Sequence, residues 1–177
     1  MESASECGIW EKTKGCLVPL DKLAMLPLYH RETIPKTYLD AMGHMNVRWY
    51  MALFDTSVWK LFISHGLDES YFIRKQMGVF ALKHFIQYFS EVKVGETVAM
   101  RIRLLGRNEK RFHFMNFMIN ESANKLAAVL EVLGTHADLK LRKAMAMPQD
   151  ISQKFDTRIA EDQQLDWEAP VSGAIHL

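Results

Sequence analysis

Within seven residues, Asp40, Gly43, His44 and Asn46 assemble a carboxylate, a permissive backbone position, an imidazole and a carboxamide. Asp and Asn are poor helix formers but good caps, because their side chains compete for nearby backbone amides. Gly43 admits backbone angles that other residues avoid. Residues 38–46 therefore read as a shaped turn, with Asn46 the N-cap of a helix over 47–64. The first turn of such a helix offers unpaired N–H groups and a partial positive charge. With Asp40 beside it, this is a place where a carbonyl can be polarised.

The elements that must hold this turn are legible on either side. Before it, residues 28–37 suit a strand that Pro35 confines to a sheet edge, a bulge or a strand end. After it, Val47, Tyr50, Met51, Phe54, Val58, Leu61 and Phe62 recur at spacings of three and four, the period of an amphipathic helix. Ala52, Leu53, Trp59 and Ile63 widen the stripe, which predicts burial on most sides. Gly66 stands where a C′ glycine ends a helix, with His65 in the last turn. Residues 67–77 read as a short helix or loop.

Past Gly78 the period changes to alternation. Strands are expected over 79–92, 97–105, 112–119 and 126–139, with turns near Gly95, Gly106 and 120–124. Successive hairpins make an antiparallel sheet, and the only long apolar helix available to cover it is 47–64. The expected class is α+β, a curved antiparallel sheet wrapped around one long central helix. Residues 1–27 read as an extension, 28–147 as the domain, and 148–177 as a polar tail with a short helix and a loose end.

The run Asp40-x-x-Gly43-His44-Met45-Asn46, followed by Tyr50 and the amphipathic helix, resembles the signature of hotdog-fold acyl-CoA thioesterases related to 4-hydroxybenzoyl-CoA thioesterase. The resemblance covers roughly residues 28–141 and implies the hotdog fold, the same architecture that the hydrophobic pattern predicts. One departure is that most members carry a second Asp two positions before the first, where this chain has Tyr38. The resemblance implies Asp40 as nucleophile or general base, a CoA thioester as substrate with no cofactor, and self-association as dimer or tetramer with sheets paired edge to edge. The site would then combine the turn of one chain with strand residues of another. The Gly-His-Met form also resembles a thioesterase-like domain attached to carnitine dehydrogenases, which brings in a betainyl-CoA-type substrate. Two other activities fit the same fold: an acyl-CoA binding protein without hydrolysis, and an enoyl-thioester dehydratase.

Thioester hydrolysis needs a base or nucleophile beside the carbonyl and a donor for the developing oxyanion. Asp40 supplies the first, and amides near Val47 the second. The plain alternative is that Asp40 only closes a turn. His44 either positions substrate or bonds a backbone carbonyl. Asn46 is a cap that fixes the oxyanion donors, Gly43 a backbone requirement, and Tyr50 a substrate contact. Arg101, Arg103, Arg107, Lys110 and Arg111 cluster around one strand and its turn; of these, Arg107, Lys110 and Arg111 are the expected contacts to coenzyme A phosphates, and solvated charges on an outer sheet face are the alternative. Glu131 and His136 interrupt an apolar strand and suggest either a buried site or a water-facing edge. His84 and Tyr88 either line a pocket or lie on an ordinary sheet face.

Lys plus Arg total 22 against 21 for Asp plus Glu, a formal charge of +1, so no broad footprint for nucleic acid is present. No stretch approaches the roughly 20 apolar residues of a membrane span, and no secretory leader pattern opens the chain. His and Cys spacings match no metal motif. Cys7 and Cys16 are the only cysteines and are expected reduced. The expectation is a cytoplasmic protein with no nucleic-acid or membrane partner and no bound metal.

Overall fold

The computed structural model describes residues 18–177; Cys7, Trp10 and Cys16 lie outside the described residues. Six strands form one antiparallel sheet: β1 (Leu28–Thr33), β2 (Met77–Tyr88), β3 (Thr97–Arg107), β4 (Arg111–Asn120), β5 (Lys125–Asp138) and the short β6 (Lys143–Ala144). Their order is β1-β3-β4-β5-β2, with β6 beside β5. Four helices accompany them: α1 (Leu20–Ala24), α2 (Val47–Ser64), α3 (Glu69–Lys75) and α4 (Gln149–Asp162).

Helix α2 begins where the sequence predicts, because the Asn46 side chain accepts the Arg48 amide at 3.1 Å. It ends at Gly66, whose φ of +90° few other residues adopt. Its buried side chains Tyr50, Leu53, Phe54, Leu61 and Phe62 pack with Met100, Ile102 and Leu104 of β3, Phe114 of β4, and Leu130 and Val132 of β5. Each such aromatic or aliphatic side chain contributes about 1.5–3 kcal/mol when fully buried. The sheet thus curls around one helix, which is the hotdog fold.

Two differences from the sequence reading concern exposure. Helix α2 is covered on one side only: Val47, Trp59 and Ile63 are exposed, and so are Phe80, Leu82, Phe85 and Tyr88 on β2. Among the described residues strand β2 is an edge that pairs with β5 alone, and while Val79 and Ile86 pack against the core, Leu82 and Phe85 are left largely to solvent.

The second difference is on the outer sheet face, which is buried. Met115, Phe117 and Val129 pack there with Val18, Leu23 and Leu26 from one end of the chain and Trp167 from the other. Residues 163–177 are therefore a docked strap and not a loose end. Arg103 donates to the Trp167 carbonyl at 2.6 Å and lies 4.2 Å over its ring, and Ile175 is buried. Arg103 is accordingly no solvated surface charge. Glu131, 1% exposed, is not at a water-facing edge either: it pairs with His113 Nε2 at 2.8 Å and accepts the Ser172 amide at 2.7 Å. A sheet covered on both faces explains why β5 reads as apolar throughout.

Candidate active site

The chemical turn is a miniature hairpin. Leu39 and Met45 form a β-bridge, the Asp40 amide donates to the His44 carbonyl at 3.0 Å, and the Gly43 amide donates to the Asp40 carbonyl at 3.1 Å. Gly43 takes φ +87° with open space around it, so its requirement is for backbone angle and not for room. The Met45 amide donates to the Val92 carbonyl at 2.7 Å and the Asn46 amide to the Tyr38 carbonyl at 3.0 Å. These bonds fix the hairpin to the body of the fold.

Within it the Asp40 side chain, 17% exposed, uses its two oxygens differently. Oδ1 accepts the Met42 amide at 2.8 Å, an Asx turn that orients the carboxylate. Oδ2 faces His44 Nδ1 at 3.7 Å, too far for a direct hydrogen bond. The turn thus occupies one oxygen and leaves the other without a hydrogen bond among the described residues.

At the start of α2 the donors are mostly taken. Asn46 accepts the Arg48 amide through its side chain and the Trp49 amide through its carbonyl at 2.9 Å. The Val47 amide has no hydrogen-bond partner among the described residues, and Val47 is 61% exposed. One N–H therefore remains open at the positive end of the helix dipole.

Behind the turn, Tyr38 stacks on Trp49 with ring centroids 3.8 Å apart and donates its hydroxyl proton to Glu32 at 2.8 Å. Tyr50 is a buried core side chain and no open contact surface. Its hydroxyl donates to the Ser90 carbonyl at 3.3 Å, its ring meets Tyr88 edge-on, and burial pushes the phenol up to about 12.

Arg107, Lys110 and Arg111 are not gathered with Asp40. Arg107 forms a two-point ion pair with Asp156 of α4, which holds the Asp156 carboxyl below its ordinary value. The neighbouring Phe112 packs on Phe62 in the last turns of α2, whereas Asp40 lies at the opposite end of a helix about 27 Å long. On the turn side of the fold, Arg48 lies over the Trp49 ring at 5.2 Å, Lys36 opens the short 3-10 turn ahead of Asp40, and Lys93, ion-paired with Glu91 at 3.1 Å, follows Val92, whose carbonyl holds the Met45 amide.

A cavity of about 130 Å³ opens between α2 and the β2 side of the sheet. Asp55, Trp59 and Phe62 line it from α2, Phe112 and Phe114 from β4, and Phe80 and His84 from β2. Of the two readings of His84, a pocket or an ordinary sheet face, the structure takes the pocket; Asp55 and Trp59 were not legible as lining, because nothing in a helical stripe marks which side stays open. Burial pulls the His84 imidazole below its ordinary value, with Asp55 opposing that shift. Among the described residues no group of three or more His, Cys, Asp and Glu could hold a metal, and no helix is long and apolar enough to cross a membrane.

A curled sheet around one helix, with a carboxylate at the helix start, defines the hotdog class of thioesterase-like proteins. The chain belongs to the thioesterase-like superfamily, whose model matches residues 34–155. Its relatives include the L-carnitine dehydrogenase/betainyl-CoA thioesterase of Rhizobium meliloti, 25% identical over 147 residues, covering 83% of this chain and 29% of that protein. The chain thus spans under a third of that longer relative. A betainyl-CoA thioesterase of Pseudomonas aeruginosa is 26% identical over 115 residues, 65% of this chain and 72% of that one. Among solved structures, a Staphylococcus aureus protein in complex with CoA superposes with a TM-score of 0.77 at 22% identity, over 86% of this chain and 96% of that one. A 1,4-dihydroxy-2-naphthoyl-CoA thioesterase from Synechocystis has a TM-score of 0.64 at 14% identity, over 80% and 100%.

Proposed function

We propose that this protein hydrolyses an acyl-CoA thioester to the free acid and CoA, with Asp40 as the reacting carboxylate. Two groups flanking one helix start support the reading: Asp40 Oδ2, which accepts no hydrogen bond among the described residues, and the Val47 N–H, which donates none. In the general-base route Oδ2 takes a proton from water, and the water oxygen adds to the thioester carbon. The charge moves onto the carbonyl oxygen, which accepts the Val47 N–H in the field of the helix dipole. Collapse breaks the C–S bond, and the CoA sulfur leaves with the proton that Asp40 holds. In the nucleophilic route Oδ2 itself adds, CoA thiolate leaves, and water then opens the acyl-aspartyl anhydride. His44, 3.7 Å from Oδ2, positions the incoming group in either case.

The functional unit is a homo-oligomer joined through β2, whose free edge carries the exposed Phe80, Leu82, Phe85 and Tyr88. Long apolar edges are otherwise avoided because they recruit other chains. A two-fold axis across paired antiparallel β2 strands carries the far end of one copy toward the turn of the other. Arg107, Lys110 and Arg111 of a second copy then join Arg48, Lys36 and Lys93 as contacts for the coenzyme phosphates.

A thiol-release screen over short, long, aromatic and betainyl CoA esters tests the reading. Wild-type protein should release thiol from at least one ester. Asp40→Asn, which keeps the Met42 bond, should melt normally and lose about 10²–10⁴-fold in turnover. Wild-type rates in that variant would end the mechanism. Binding of CoA esters with no thiol release from any would end the hydrolase reading.

A further inference from the structure

One end of the molecule concentrates charge that the formal total of +1 conceals. The last turn of α3 meets the hairpin between β5 and β6 there. The Leu139 amide donates to the Gln76 carbonyl at 2.9 Å, and Met77 pairs with Asp138, which pairs in turn with Lys143. That contact brings the segment of α3 carrying Arg74 and Lys75 against the hairpin carrying Lys140, Arg142 and Lys143. All five side chains are exposed, and none is in an ion pair among the described residues. Asp138, at the root of the hairpin, spends its Oδ1 on the Lys140 and Leu141 amides, both at 2.8 Å.

Bare aliphatic side chains stand among these cations. Leu141, at the hairpin tip, is 69% exposed, and Ile73 on α3 is 63% exposed. Leu139 packs so closely on Gly78 that a Cβ added there would lie 3.0 Å from it. The hairpin is therefore rooted in the fold while its tip is bare. Five cations on one end call for a dense array of anions, and phosphates supply one. Nucleic acid carries such an array but offers little to an aliphatic tip, since its bases are bound by hydrogen bonds and aromatic stacking. The exposed ring beside the hairpin, Phe80, already carries the Arg142 guanidinium at 5.3 Å. A leaflet of anionic lipid presents phosphates at its surface and acyl chains just beneath, which suits cations flanking an apolar tip.

We propose that this end of the protein docks on the surface of an anionic lipid bilayer, with Leu141 entering the interface and the five cations on the lipid phosphates. The protein lies on the membrane without spanning it, and docking is independent of the thioesterase reading. Co-sedimentation of the full chain tests it, with vesicles of phosphatidylcholine alone or of phosphatidylcholine and phosphatidylglycerol in equal parts. The wild type should pellet with the anionic vesicles, stay in solution with the others, and be released by salt, because these charges stand in water. Lys140→Gln, Arg142→Gln and Lys143→Gln together should weaken binding about 100-fold, at about fivefold per cation. Arg74→Gln with Lys75→Gln, on the other element, should cost about 25-fold on the same scale, and Leu141→Asn about tenfold. Melting curves should match the wild type throughout, since every position is exposed. No pelleting with anionic vesicles, equal pelleting with both, variants that pellet like the wild type, or tighter binding to duplex DNA would each overturn it. Release by glycerophosphate at the same phosphate concentration would do so as well, by assigning the site to a soluble phosphate. Pelleting by a protein that never releases thiol keeps this inference and ends the hydrolase reading. A thioesterase that stays in solution does the reverse.

Discussion

Tyr38 lies flat on Trp49, with ring centroids 3.8 Å apart and planes within 9°. Tyr38 occupies the position where most relatives of the motif carry a second Asp, and here the site is built without that charge. The stack joins the residue two before Asp40 to the first turn of α2, so the carboxylate and the open Val47 amide are positioned by the same pair of rings.

Tyr38→Ala should therefore cost more in rate than in folding. Loss of the stack and of the bond to Glu32 is worth about 1–2 kcal/mol, or about 2–8 °C in Tm at roughly 2–4 °C per kcal/mol. The kcat should fall while KM for the CoA ester changes little, and Tyr38→Phe, which keeps the stack, should recover most of the rate. Steady-state kinetics beside a melting curve separate the two; an unchanged kcat in Tyr38→Ala would contradict the positioning role.

Charging the β2 edge should dissociate the oligomer. Phe85 is exposed on that edge, and Phe85→Lys places a solvated cation where strands would pair. Light scattering should report a smaller particle, and thiol release should drop with it. A Phe85→Lys protein of unchanged mass would place the interface elsewhere.

Gly134 on β5 is a packing requirement. A Cβ there would collide with the Phe112 ring, and both residues line the cavity. Gly134→Ala should destabilise the fold by about 1–3 kcal/mol through overpacking and narrow the cavity beside α2; an acyl group seated there would show it as a KM raised for bulky esters before small ones. Thermal melts and a two-ester comparison check both effects.

Acid should destabilise the fold partly through His136. Its imidazole is buried, accepts the Tyr71 hydroxyl proton at 2.8 Å and donates to the Met145 carbonyl at 3.2 Å; burial lowers its pKa, and the bond to Met145 opposes that shift only in part. His65 is lowered by burial as well. A histidine whose folded pKa lies below its unfolded value near 6.5 binds fewer protons folded than unfolded. Stability is then full above the unfolded value and is lost as pH falls through and below it. Melting temperature should decline from pH 7.5 to pH 5.5, and His136→Gln should flatten that slope. An equal slope in the variant would assign the effect to other groups.

The parts of this fold that were legible are those whose signal is local. The stripe from Val47 to Phe62 fixed α2 because helical spacing and the Asn46 cap agree, and the alternation after Gly78 fixed the strands because each hairpin pairs near neighbours in sequence. What escaped depends on contacts between distant segments. Nothing near Arg103 or Glu131 announces that residues 163–177 fold back over them. Likewise Arg107, Lys110 and Arg111 are adjacent in sequence to one another but not to the turn, and only the length of α2 separates them from Asp40. The turn that carries Asp40 was legible because a turn before a capped helix is itself a local pattern, whereas the place of Asp55 in the cavity lining depends on which side of that helix stays open.

The strap formed by residues 163–177 has a kinetic corollary. Strands β3, β4 and β5 are clamped between α2 within and that strap without, so opening them means unseating two layers at once. Among the described residues strand β2 has a hydrogen-bonded neighbour on one side only. Its backbone protons are the ones that solvent deuterium reaches soonest in an isolated subunit, and their slowing with rising protein concentration would report the arrival of a second copy.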